Sequence, residues 1–104
     1  MSIPNARPMS RRPTHPGEML REEFLPDFGR STSEFAAAVG VSRRFMSDLL
    51  HERRPLSTEM ALRLAKLFGT SPEYWLNLQH AVDLWDARRA SKSELARIKP
   101  IRAS

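Results

Sequence analysis

Residues 31–54, STSEFAAAVGVSRRFMSDLLHERR, read as two short helices joined by a glycine turn, with arginines opening the second. Ser31 stands where it caps the first helix. Glu34, three residues on, completes the reciprocal pattern in which two side chains satisfy backbone N–H groups that no helical carbonyl reaches. Gly40 stops that helix, because glycine enters the left-handed conformation without steric cost. Ser42 caps the next one. So short a connection forces the two helices to cross.

The facing of the second helix follows from its period. At about 100° per residue from Arg43, Met46, Leu49 and Leu50 fall at about 300°, 240° and 340°, one stripe that must be buried. Arg44, Ser47, Asp48 and His51 fall at about 100°, 40°, 140° and 80° and face the opposite way. Arg43 lies at the margin in the first turn, and Phe45, at about 200°, flanks the buried stripe. A crossed pair of this kind is a helix-turn-helix, whose second helix enters the major groove of DNA with its first turn against the base edges.

Each exposed group then has an expected role. Arg43 and Arg44 suit bidentate contacts to guanine O6 and N7, and Ser47 reaches a base edge or phosphate one turn later. Asp48 is repelled by DNA, so it either fixes Arg44 across four residues or accepts from a cytosine amino group. Arg53 and Arg54, in the turn after this helix, suit phosphates, as do Ser42 and His51. Ser42, Ser47 and His51 read as a cap and groove-facing groups rather than as a nucleophile and its base, and no catalytic pairing is expected.

The remainder supplies an all-α scaffold of five helices. After Pro16 and Gly17 the run EMLREEFL has half-buried helical spacing, and Pro26 is expected to end it by pushing its predecessor out of the helical region. A further helix starts after Ser57, carries Ala61, Leu64 and Phe68 on one stripe, and stops at Gly69. Ser71 and Pro72 open the last, expected to reach about Arg88, since proline at the first helical position loses no hydrogen bond. Alternating β-branched residues are absent, so no strand is expected.

Composition bounds the function classes. The chain has 104 residues, 40% apolar and 28% charged, with no cysteine, which fits one small domain without a disulfide framework. His15, His51 and His80 are too scattered for zinc, so neither metal nor cofactor is expected. No apolar run approaches a membrane span and no signal peptide is evident, so a cytoplasmic setting is the expectation. The net charge of +5 is uneven: residues 86–104 carry six basic and two acidic side chains, and residues 1–14 add three arginines and no acid. The expected layout is a flexible basic arm at 1–14, a folded domain at 15–88 and a flexible basic tail at 89–104. Such ends either attract phosphate or merely solubilise the chain.

Ala36, Gly40, Met46 and Leu49 have the spacing of the Xre/Cro-repressor type of helix-turn-helix, where the alanine lets the second helix approach the first. With HPGEMLREEFL before this motif and LSTEMALRLAKLFGTSPEYWLNLQ after it, roughly residues 15–84 resemble the HigA-type antitoxins of that family. The resemblance implies a compact lambda-repressor-like domain in a bacterial cytoplasmic dimer, nucleoid-associated when on DNA. Such a protein binds its own operator and neutralises a HigB-type toxin, an RNA-cleaving partner of the RelE class. It also implies Thr32 as a backbone anchor, although a plain helix-start residue reads equally well there. A stand-alone Xre regulator without a toxin, and an interaction module without DNA binding, are the alternatives.

Two segments depart from the family pattern. The tail ASKSELARIKPIRAS matches no family motif, and Glu52-Arg53-Arg54-Pro55 stands where many relatives place glycine. In the last helix, Trp75 and Leu78 are expected to pack inward, while Val82, Leu84 and Trp85 lie farther out and meet a second copy. A two-fold dimer would set two recognition helices about 34 Å apart, for a palindrome.

Overall fold

The structure, a computed structural model, describes residues 11–101, and every regular element among them is helical. In order they are α1 (Pro16–Met19), a π-helical turn (Leu20–Phe24), α2 (Leu25–Phe28), α3 (Thr32–Val39), α4 (Arg43–Leu50), α5 (Thr58–Phe68), α6 (Pro72–Ala90) and α7 (Lys92–Ala96). Local chemistry sets most of these boundaries. Ser31, Ser42, Ser57 and Ser71 each accept, at 3.0–3.1 Å, the N–H three residues on, which satisfies one orphan donor per helix. Gly29, Gly40 and Gly69 end α2, α3 and α5 with left-handed φ of 68°, 78° and 70°.

Pro26 does not end the first helix. The chain winds through it to Phe28, and the π-helical turn just before it explains how. A proline in a regular helix collides with the carbonyl four residues back and offers it no donor. Here the ladder has already widened, with Leu25 N–H bonded to the carbonyl of Leu20, five residues back, so the ring enters where the regular pattern is interrupted.

The core is built from one face of each helix. Leu20, Phe35, Met46, Leu49, Leu64 and Trp75 are fully buried, and Ala36 is 2% exposed where α3 crosses α4. Full burial of each large side chain contributes about 1.5–3 kcal/mol. Phe24, Phe68 and Trp75 form an aromatic centre, with Phe24 4.8 Å from both other rings, and Trp75 Nε1 donates to Thr70 Oγ1 at 2.7 Å.

Both ends of the folded region differ from expectation. Residues 1–10 of the expected arm lie outside the described residues. Arg12, at its inner end, is docked, with a two-pronged contact of 2.9 and 2.7 Å on Asp86 of α6. At the other end α6 continues to Ala90, and α7 follows where an irregular tail was expected.

Candidate nucleic-acid interface

The two helices of the motif are held as a unit. The Ser31–Glu34 capping box forms in both directions, at 3.0 and 3.1 Å. The α3–α4 turn closes with Val41 N–H on the carbonyl of Ala36 and Gly40 N–H on that of Ala37, the paired bonds of a Schellman end. On α4, Met46 and Leu49 are fully buried and Leu50 is 4% exposed. The predicted stripe therefore faces the core. Arg43 and Arg44 stand exposed at its first turn, Ser47 and Asp48 are half-buried beside them, and His51 is exposed at the far end. Thr32 is half-buried at the first turn of α3, next to its Ser31 cap.

Asp48 organises the polar face. Its carboxylate sits 3.5 Å from Arg44 Nε, the pair four residues apart that the sequence suggested. It also accepts from Arg53 Nε at 3.1 Å. The Arg53 bond, with the charges of Arg44, Arg53 and Arg54, holds the Asp48 carboxyl below its ordinary range. One acid thereby tethers an arginine from the helix and one from the following loop. His51 Nδ1 lies 2.8 Å from the carbonyl of Ser47. A carbonyl only accepts, so Nδ1–H is the donor in this contact. Ser42, itself exposed, is the α4 cap.

Arginines from other elements anchor both motif helices at their C-terminal ends, where carbonyls lack partners. Arg63 of α5 donates to the carbonyl of Val39 at 2.8 Å and is itself held by Glu59 at 2.8 Å. Arg21 of the π-helical turn donates to the carbonyl of Leu50 at 2.5 Å. Behind α4, Gly17 lets α1 approach so closely that a Cβ there would stand 1.9 Å from the Leu49 carbonyl oxygen. Gln79, 5% exposed, accepts from Leu56 N–H and donates to Asp83, both at 2.8 Å, and so ties the α4–α5 loop to α6. None of these four residues belongs to the predicted interface. The local signals that could have pointed to such support are two pairs at four-residue spacing, Glu59 with Arg63 and Gln79 with Asp83.

This face is a rigidly backed, arginine-opened helix, set in a fold that known proteins share. Residues 20–75 match the helix-turn-helix family HTH_3. Antitoxin HigA-1 of Vibrio cholerae is 43% identical over 95 residues, which cover 91% of this chain and 90% of that protein. The chain belongs to the HigA-type branch of the helix-turn-helix family. A Pseudomonas aeruginosa antitoxin HigA, solved with the higBA promoter, superposes with a TM-score of 0.82 at 40% identity, covering 88% of this chain and 100% of that one. Antitoxin GraA in complex with its operator gives 0.82 at 41% identity, with 93% and 99% covered.

Within this HigA-type domain two expected roles change. Val82 is 1% exposed in the single chain. It is core, because the α6 face it shares with Trp75 and Gln79 packs inward, and it is not free to meet a second copy. Leu84 is 51% exposed and Trp85 is half-buried, with the Arg89 guanidinium 5.5 Å from its ring centre. Arg54 is no free phosphate hook. Its guanidinium stacks over Phe45 at 3.9 Å, with Nε buried and without a hydrogen bond, so it clamps the loop to α4 by a cation–π contact.

Among the described residues no group of acids and histidines could hold a metal, and no helix is long and apolar enough to cross a membrane.

Proposed function

We propose that this chain is a dimeric antitoxin that represses its own operon by binding an operator palindrome and that captures a HigB/RelE-like toxin in the bacterial cytoplasm. The observation that carries the reading is the exposed Arg43–Arg44 turn on a helix whose two ends and back are fixed. It occurs in a domain superposable on an antitoxin solved with its promoter. In this reading α4 enters the major groove, and Arg43 and Arg44 read guanines, each bidentate pair supplying about 1–3 kcal/mol of discrimination. Ser47 extends the readout. Thr32 with the α3 N-terminus, Ser42, His51 and Arg53 engage phosphates, whose counterion release supplies affinity and salt dependence. Arg54 acts indirectly by holding the loop. Leu84 and Trp85 join two copies.

Asp48 restrains Arg44 and Arg53 until a guanine and a phosphate compete for them. Its replacement by Ala should therefore raise binding to random DNA while eroding preference for the operator, and equal losses on both would refute this. For the toxin partner, the adjacent small reading frame is expressed with and without this chain. Growth arrest relieved by this chain, with a stable complex, is the expected result. A harmless neighbour and no complex would leave a stand-alone regulator.

A further inference from the structure

A groove between α2 and α5 plays no part in the recognition face. It encloses about 510 Å³ and is lined by Glu23, Phe24, Asp27, Phe28, Leu67 and Phe68. Its floor is aromatic and only half-buried, while Glu23 and Asp27 are exposed on its rim. Residues 16–28 carry four acids against one arginine. The chemical complement lies at the opposite end of the molecule. Leu95, Ile98 and Ile101 are 51%, 68% and 106% exposed, and they recur every third residue among Lys92, Arg97 and Lys99. An apolar stripe with basic neighbours fits an apolar floor with an acidic rim.

We propose that this groove is the docking site for segment 95–101 of a second copy of the chain. Its own tail starts from the wrong end. The groove abuts the first turns of α6, where Phe24 lies 4.8 Å from Trp75 and 6.3 Å from Tyr74. The tail leaves the other end of that 19-residue helix, about 28 Å away. Two α6 helices packed antiparallel through Leu84 and Trp85, as a two-fold axis there would place them, carry each tail back along the other copy. Leu95 of one copy then comes opposite the Tyr74–Trp75 turn of the other, at the mouth of the groove. The inference rests on the dimer of the proposed function, extends its interface, and gives the unmatched tail a role as an exchanged arm.

The chain has no cysteine, so two single variants of the full chain, Asp27→Cys and Ile98→Cys, test it when mixed and oxidised. A disulfide between them is necessarily intermolecular. The expected result is efficient cross-linking of that pair, and little between Ile98→Cys and Lys66→Cys, which lies outside the groove. Charge reversal at Glu23 and Asp27 should raise the dimer dissociation constant about tenfold at low salt, because the two-fold doubles every lost pair. Reversal of Arg97 and Lys99 in the same chain should restore it.

Sedimentation separates the failures. A dimer that forms no 27–98 cross-link overturns the docking and leaves the dimer intact. A monomer overturns both. Closure of the disulfide within a chain carrying both substitutions would show the groove taking its own tail. Reversal of Arg97 and Lys99 that weakens DNA binding and leaves dimerisation unchanged would assign the tail to DNA instead.

Discussion

Gly17 is fixed by a contact rather than by a turn, since its absent Cβ is what lets α1 lie against the carbonyl of Leu49. Both partners in that contact are backbone, so neither can rotate away. Gly17→Ala is expected to cost about 2 kcal/mol or more by urea denaturation, at the upper part of the range for overpacked sites, and a loss below about 0.5 kcal/mol would mean that α1 shifts freely. The neighbouring His15 caps α1 through Nδ1, which accepts Gly17 N–H at 2.9 Å in a buried setting. Burial pushes this imidazole below its ordinary 6.5, against the opposing pull of Glu52, Asp83 and Asp86 and with help from Arg12. The unfolded chain therefore takes up this proton at higher pH than the folded one does. The stability that His15 contributes is complete above pH 6.5 and is lost as pH falls from there through the lowered folded value. His15→Asn keeps an acceptor and removes the titration. Melting temperatures between pH 7 and 5 should fall for the parent and stay flatter for the variant. The depressed carboxyls of Glu34, Asp48 and Asp86 act at lower pH and in both proteins.

The elements show why some of this was legible beforehand. Caps, glycine stops and the α4 facing depend on neighbours within four residues, and Ser31, Gly40, Ser42, Met46 and Leu49 behave as that local chemistry requires. The supports act across 23 to 32 residues: Arg63 on Val39, Arg21 on Leu50, Gln79 on Leu56 and Gly17 against Leu49. No periodicity encodes such partners. Val82 was misplaced for the same reason, because the distance at which α6 leaves the core depends on packing and not on its own spacing. The end of α4 joins both cases. Glu52 occupies the left-handed position, φ 62°, of a Schellman end closed by Glu52 N–H on Leu49 and Arg53 N–H on Asp48. Glycine is the residue that position favours. Glu52 is held there with its carboxylate 3.5 Å from Arg21 and 3.8 Å from Arg12. Replacing it by Ala removes the pairs and keeps the backbone strain, whereas Gly removes both. Glu52→Gly should thus be about 1 kcal/mol more stable than Glu52→Ala. Equal stabilities would show that the left-handed backbone costs nothing here.

At the scale of the molecule, the described residues extend 54 × 32 × 23 Å, and the 19-residue α6 alone runs for about 28 Å. Beyond Val82 that helix is half-buried only at Trp85, and its other residues through Ala90 are exposed. Leu84 is the large aliphatic side chain exposed there. A helix 19 residues long that buries only its first part is explained by a second copy more readily than by the needs of one chain. DNA binding gives the sharper test of that assembly, because two linked recognition helices bind a palindrome with the second contact made effectively intramolecular. Leu84→Glu sets two like charges near the axis and removes apolar area without touching the core or α4. The variant is expected to sediment as a monomer with an unchanged melting profile at low concentration. Its affinity for the full palindrome should fall about 100-fold or more, while its affinity for an isolated half-site changes little. The slope of log affinity against log salt on the full site should drop to about half, since half the phosphate contacts are then made per bound protein. A variant that remains dimeric with the full slope would remove Leu84 from the interface. A monomeric variant that keeps full affinity and full slope would show that one copy suffices for the operator.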